Sequence, residues 1–252
     1  MAVVDAIYAR SPDRVPATLE TCTCPVCMTP ETLADIIATP VRALTAHHLD
    51  EYRNSAHGVP VNPDDLRAML PRYLDMIAQD QWFDTVGVGV DLLRFGDGRG
   101  THAPLFDAQT EALLNKWAHL MILHTGTAEA VDEDTAYGVH NLVEVLLVGG
   151  WPVPIVTGAL DALFASEHGA IPLTTFLARL GESLCHNEHF DMWALDRYRS
   201  EAIPEFVDWL NAFLNGSAAQ ALLLSPPVLA KPWADPLVMI GGTITRATFC
   251  AA

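Results

Sequence analysis

The chain has 252 residues, 50% of them hydrophobic, and a formal net charge of -17 at pH 7. This length and apolar content exclude general disorder and favour a protein with a sizeable core. The strong negative charge excludes nucleic acid and anionic membranes as partners, and it favours cations and basic proteins.

Residues 1–28 predict an extended N-terminal arm, because Pro12, Pro16 and Pro25 interrupt a stretch of little periodicity. The arm lacks the basic region and apolar core of a secretory signal. The longest apolar stretch, residues 145–160, is broken by glycines and prolines and is shorter than the roughly 20 residues of a membrane span. The sequence therefore predicts a cytoplasmic protein.

Three of the five cysteines, Cys22, Cys24 and Cys27, lie close together in this arm. An odd number of cysteines at such short spacing does not predict a disulfide framework. Three thiolates can ligate zinc, which takes four ligands in a tetrahedron, and His47 or His48 is the expected fourth. The alternative interpretation is that the three are small thiols packed beneath the arm.

Helices are predicted in succession from residue 29 onward. Thr29, Thr45 and Asn62 are expected N-caps, and Pro30 and Pro63 suit the first helical position. Pro71 is expected to kink the third of these helices. Apolar residues at three- and four-residue spacing predict further helices after Asp107, and over residues 137–147, 155–165, 173–185 and 205–214.

This pattern predicts an all-α fold of antiparallel helical pairs joined by short loops, either a HEAT-like solenoid or an irregular helical bundle. We expect one all-α domain over residues 29–252, with a possible hinge in the glycine-rich stretch 96–100. Residues 243–249 are compatible with a strand or with an ordered arm.

A second set of candidate metal ligands is His186 and His189, with Glu188 and Asp191 as nearby carboxylates. Their spacing differs from the His-Glu-x-x-His pattern of zinc peptidases, and a polar helix end is the alternative interpretation. No Gly-x-Ser-x-Gly motif marks a nucleophile. The sequence therefore contains no pattern that specifies an enzymatic reaction.

The negative charge is poorly balanced over long parts of the chain. No lysine or arginine occurs from residue 117 to 178 or from 200 to 230. The acids of the first stretch are Glu129, Asp132, Glu133, Asp134, Glu144, Asp161 and Glu167. Solvated surfaces normally mix both signs, so we expect an acidic face that binds a basic protein.

One part of the chain contains Asn-Ser-Ala-His-Gly at residues 54–58, followed by residues 63–74, which begin Pro-Asp-Asp-Leu-Arg. This part resembles a segment of uncharacterised bacterial proteins, some of which are associated with polymorphic toxin loci. The resemblance implies a bacterial origin and a role as an immunity protein that binds and neutralises a toxin. It covers a small part of the chain and brings no catalytic residues with it.

The leading hypothesis is a non-enzymatic acidic protein that sequesters a basic protein, with an immunity protein as the specific case. The expected contact residues are Asp132, Glu133, Asp134 and Glu129, followed by Asp64 and Asp65, which we expect to be exposed. The alternative is a metal-dependent enzyme or zinc-stabilised domain that uses either Cys22, Cys24 and Cys27 or His186 and His189. A structural scaffold whose acidity is incidental is a third interpretation.

Overall fold

The computed structural model describes residues 1–22, 24, 26–55, 62–79, 105–126, 133–166 and 198–223. It also describes five separate apolar residues, Leu173, Phe176, Leu177, Leu180 and Leu195. Over these residues the chain is mostly helical and contains no strand, which confirms the all-α fold class. The helices are α1 (Ala2–Tyr8), α2 (Pro30–Ala38), α3 (Ala46–Asn54), α4 (Pro63–Ile77), α5 (Ala108–Gly126), α6 (Glu133–Val148), α7 (Val153–Ala165), α8 (Ile203–Leu214) and α9 (Ser217–Leu223). The choice between solenoid and bundle stays a prediction.

The predicted N-caps of the first helices are confirmed. The Thr29 side chain accepts the N–H of Thr32 at the start of α2. Thr45 accepts the N–H of His48 in a capping box at the start of α3, and Asn62 accepts from Asp64 at the start of α4. Each cap uses donors of the first helical turn that have no partner within the helix, so the signal is local and can be read from sequence.

The chain forms two compact units. The first comprises Met1–Trp117 and Val148–Trp151, and the second comprises Ala118–Leu147 and Pro152–Ala252. The sequence predicted one domain from residue 29 onward, with its hinge in residues 96–100, which lie outside the described residues. The boundary falls inside the continuous helix α5, where no linker or change of composition marks it.

In the first unit, the beginning of the expected arm is helical. Helix α1 buries Val3, Val4, Ile7 and Tyr8 and packs against α4. The prediction of an extended arm is therefore wrong for residues 2–8. Apolar residues at positions 3, 4, 7 and 8 have helical spacing, and that spacing was the signal that the prolines obscured.

Helix α4 provides much of the core of the first unit. Ten of its residues are buried, including Pro71, and the helix continues through that proline to Ile77. A kink at Pro71 stays a prediction.

In the second unit, the C-terminal part of helix α6 is buried in the protein. Residues 142–147 are all buried. Glu144, one of the acids expected on the acidic face, is only 7% exposed. Helices α7 and α8 pack against each other, with the rings of Phe164 and Phe213 edge to face at 5.1 Å. No helix in the described part of the chain is long and apolar enough to cross a membrane.

Candidate functional site

The three cysteines of the N-terminal segment lie together at the protein surface. The Sγ atoms of Cys22, Cys24 and Cys27 are all within 4.8 Å of one another. Cys24 is exposed, the other two are partly buried, and none of the three forms a disulfide. Three thiols at this separation can hold one metal ion.

The backbone around the cluster is held in a turn. The carbonyl oxygen of Cys24 accepts the N–H groups of Cys27 and Met28 at 3.0 and 3.1 Å. Met28 is buried, and the Ser55 hydroxyl at the end of α3 donates to the carbonyl oxygen of Cys27 at 3.2 Å. The backbone of Cys24 and Cys27 is thus held in place by contacts that need no metal.

Hydrogen bonds to its sulfur lower the pKa of the Cys24 thiol from 9.0 to about 7. The largest contribution comes from the backbone N–H of Val26, followed by that of Cys27 and by the thiols of Cys22 and Cys27. Because the thiolate is the form that ligates metals, a substantial fraction of Cys24 is ready to bind at neutral pH.

The expectation that His47 or His48 completes a four-ligand zinc site is wrong. The His48 Nδ1 accepts the N–H of Thr45, and its Nε2 lies 3.1 Å from Asp35 Oδ2. His47 is largely exposed and lies 4.0 Å from a carboxylate oxygen of Glu51. Among the described residues, no imidazole or carboxylate joins the three thiols as a ligand group.

Several of the predicted site residues lie outside the described residues. These are His186, His189, Glu129 and Asp132. Glu133 and Asp134 begin helix α6, but their side chains are not among those described. Their roles as metal ligands or partner contacts stay predictions.

Of the two acids at the start of α4, only Asp64 is exposed as expected. It forms an ion pair of 2.6 Å with Arg67 one turn later. Asp65 is 0% exposed, and its Oδ2 accepts the Tyr52 hydroxyl at 2.6 Å. The prediction that Asp65 is exposed is therefore wrong, because the residue faces α3 and not solvent, and we exclude it from direct partner contacts.

Burial, reinforced by the hydrogen bond from Tyr52 to Asp65, strongly raises the pKa of the Tyr52 hydroxyl. This buried pair was missed because its partners are 13 positions apart and belong to different helices. The two consecutive acids instead matched the pattern of an exposed, acidic first turn.

The arginines of the described segments are all engaged in contacts within the protein. Three of them donate to backbone carbonyl oxygens in the first unit: Arg14 to Ala38, Arg67 to Leu105 and Arg72 to Leu44. Arg10, Arg42 and Arg53 pair with carboxylates, and Arg199 donates to the carbonyl oxygen of Leu147 in the second unit. The positive charge of these seven arginines is thus used for contacts within the protein.

The described surface of the second unit carries charge of one sign. Its only lysine or arginine in those segments is Arg199, which is buried and also pairs with Glu201. The charged side chains exposed there are acidic: Asp161, Glu201, Glu205 and Asp208.

A row of aromatic side chains borders these acids. The Trp209 ring stacks on Phe213 at 5.5 Å, and its Nε1 donates to Asp161 at 3.1 Å. Phe206 lies on the other side of Trp209, at 5.6 Å between ring centroids. Sequence analysis predicted the helix but not this row, although aromatic residues at 206, 209 and 213 have helical spacing.

Comparisons of the chain with protein-family models, with curated proteins and with solved structures each found no match. Its resemblance at residues 54–58 and 63–74 to toxin-locus proteins stays a prediction. A function has to be inferred from the geometry and charge of this chain's own residues.

Proposed function

We propose that this protein is a non-enzymatic binding protein whose acidic surface holds a basic protein partner. The observation that carries the proposal is the described surface of the second unit, where Asp161, Glu205 and Asp208 are exposed and where Arg199, the only described lysine or arginine, is buried. Over the whole chain, 31 acids stand against 14 lysines and arginines, which gives the net charge of -17.

The second unit is the region that we assign to the partner. Glu205 and Asp208 are exposed on α8, one turn apart, and Asp161 is exposed on α7. A one-signed surface of this kind raises the association rate of an oppositely charged protein and repels partners of the same sign.

The partner in this proposal is a toxin domain that acts on nucleic acid or nucleotides. Such a domain binds an anionic substrate and therefore has a basic cleft, which an acidic protein can cover. The resemblance of residues 54–58 and 63–74 to proteins of toxin loci supports the same role, that of an immunity protein.

To test the proposal, the partner protein is captured on this chain from a lysate of the source organism at low salt and is then purified. Binding kinetics are measured across a range of salt concentrations for the wild type and for a variant with Glu205→Gln and Asp208→Asn. We expect the variant to associate about two to ten times more slowly at low salt and to depend less on salt, with little change in dissociation.

A matched control removes two exposed acids from the first unit, Asp13→Asn and Glu31→Gln. We expect the association rate of this control to be closer to that of the wild type than the rate of the second-unit variant is. Equal effects of the two double variants would contradict the assignment to the second unit, and salt-independent association of the wild type would contradict the acidic-binding function itself. The triple variant Asp132→Asn, Glu133→Gln, Asp134→Asn tests the contact residues predicted from sequence in the same way.

Metal binding by Cys22, Cys24 and Cys27 is the second candidate function, favoured by the separation of their Sγ atoms, all within 4.8 Å. Zinc is the ion that the sequence predicts, and it would need a fourth ligand from outside the thiol cluster. Metal analysis of protein purified without a polyhistidine tag tests this function. We expect bound metal in the wild type and its loss in a Cys24→Ser variant, whereas less than about a tenth of an equivalent of any thiophilic metal in the wild type would exclude it.

A further inference from the structure

We infer that Cys22, Cys24 and Cys27 form a three-thiolate site that binds monovalent copper in preference to zinc. This inference depends on the second candidate function, that the thiol cluster binds metal at all. It goes further by naming the ion, because three thiolate ligands suit monovalent copper better than they suit zinc.

Zinc in structural sites is almost always bound by four ligands in a tetrahedron. The cluster offers three, and in the described part of the chain the ligand group contains no histidine, aspartate or glutamate. Of the two expected fourth ligands, His48 uses both ring nitrogens elsewhere, Nδ1 at the cap of α3 and Nε2 beside Asp35, and His47 is not part of the ligand group. A zinc ion here would have to retain water or recruit another ligand.

Monovalent copper has the opposite requirements. It is a soft ion that prefers thiolates to the nitrogen and oxygen ligands that zinc also accepts. Three thiolates in a plane complete its coordination, whereas zinc in structural sites takes a fourth ligand. A cluster of three sulfur atoms therefore satisfies copper without any further ligand.

The local structure supports binding of an ion that is exchanged at the surface. Cys24 is exposed, and Val26 beside it is 93% exposed. The turn closed by Cys27 and Met28, together with the hydrogen bond from Ser55, fixes the backbone of Cys24 and Cys27, and the Cys22 thiol lies within 4.8 Å of both of their sulfur atoms. Metal binding at the cluster would release the thiol protons.

The test is an anaerobic titration of the fully reduced protein, without a polyhistidine tag, with the Cu(I) complex of a chromogenic chelator. Uptake is followed by bleaching of the chelator complex and by the ultraviolet thiolate-to-copper charge-transfer band. We expect one equivalent of Cu(I) per chain, and we expect it to remain bound in the presence of a hundredfold excess of Zn(II).

Two single variants with the same number of remaining cysteines form the matched comparison. Cys24→Ser removes one proposed ligand, and Cys250→Ser removes a thiol that lies far along the sequence. We expect Cys24→Ser to weaken Cu(I) binding by more than about tenfold, since even the loss of a group that only orients a metal ligand costs about 10- to 100-fold. Cys250→Ser should bind like the wild type, and Cys22→Ser should reproduce the loss.

The outcomes separate the inference from the function on which it depends. Binding of Zn(II) that Cu(I) cannot displace overturns the copper preference and leaves the metal-binding function intact. Failure of the wild type to bind either ion overturns both. Equal Cu(I) affinity of the wild type and Cys24→Ser shows that the copper is held elsewhere and overturns the assignment of the site.

Discussion

The two units of this protein contain almost the same number of acids but differ in how much positive charge they hold. Sixteen acids lie in the first unit and fifteen in the second, whereas nine of the fourteen lysines and arginines belong to the first. In the first unit, described arginines connect separate segments: Arg10 at the end of α1 contacts Asp107 and Thr110 at the start of α5, and Arg72 reaches Leu44. The described segments of the second unit have one such arginine, Arg199, and are otherwise held by an enclosed apolar helix.

The difference shows two ways of stabilising helices within one chain. Helices α1, α2 and α3 have nine residues or fewer, and a helix of that length is marginal without tertiary contacts. Directional bonds from arginine to carbonyl groups and to carboxylates supply some of those contacts. In the second unit, α6 has 16 residues and its residues 142–148 are all buried, so apolar packing supplies these contacts there.

The largest effect is expected from a cavity in the second unit. Leu146 is fully buried in α6. We expect Leu146→Ala to lower the free energy of unfolding by about 2–5 kcal/mol, because the enclosed helix leaves little room to collapse around the cavity. Chemical denaturation followed by circular dichroism measures the change, which should be nearly independent of salt.

Leu33→Ala in α2 is the matched control, since Leu33 is only partly buried. Its cost should be clearly smaller than that of Leu146→Ala. Equal costs would show that burial of α6 does not dominate the stability of the second unit.

An intermediate effect is expected from the buried polar pair of the first unit. Tyr52→Phe leaves Asp65 without the hydroxyl that donates to its Oδ2 at 2.6 Å. We expect a loss of about 1–3 kcal/mol in the free energy of unfolding, the usual cost of depriving a buried acceptor of its donor. Tyr73→Phe, whose hydroxyl donates to Leu49 across a longer 3.4 Å, should cost less.

The pH dependence of the same variant gives a second readout. The pKa of Tyr52 is raised above its ordinary value of 10.0 in the folded protein, mainly by burial. The neutral, hydrogen-bonded hydroxyl therefore makes its full contribution to the free energy of unfolding below pH 10. This contribution is lost as the pH rises above 10, because the unfolded chain then releases the proton and the folded chain keeps it. The difference in stability between wild type and Tyr52→Phe should shrink above pH 10, and a constant difference would contradict the buried pair.

The local sequence pattern predicted the structure where the deciding interactions are local. The caps of Thr29, Thr45 and Asn62 form within three residues of each N-cap, so residue type and spacing were sufficient. The short separations between the three cysteines likewise predicted that their thiols lie together. The all-α class followed from apolar spacing repeated in many segments.

It failed where a side chain is placed by a distant segment. Asp65 is buried because Tyr52 of α3 approaches it, and His48 is unavailable to the thiols because it is held at the cap of α3 and beside Asp35 in α2. The carbonyl partners of Arg67 and Arg72 lie 38 and 28 residues away along the chain, and carbonyl groups carry no sequence signal.

The smallest effect, and one of opposite sign, is expected from a glycine pair in the second unit. A Cβ at Gly158 in α7 would meet nothing within 4 Å, whereas a Cβ at Gly126 at the end of α5 would lie 2.5 Å from a methyl carbon of Leu163. Gly158→Ala should therefore raise the free energy of unfolding by about 0.5–1 kcal/mol through helix propensity alone. Gly126→Ala should lower it, because Leu163 must move in a packed interior. If Gly158→Ala were destabilising, the exposed side of α7 would have to be covered in solution, and the acids beside it would then be less accessible to a basic partner.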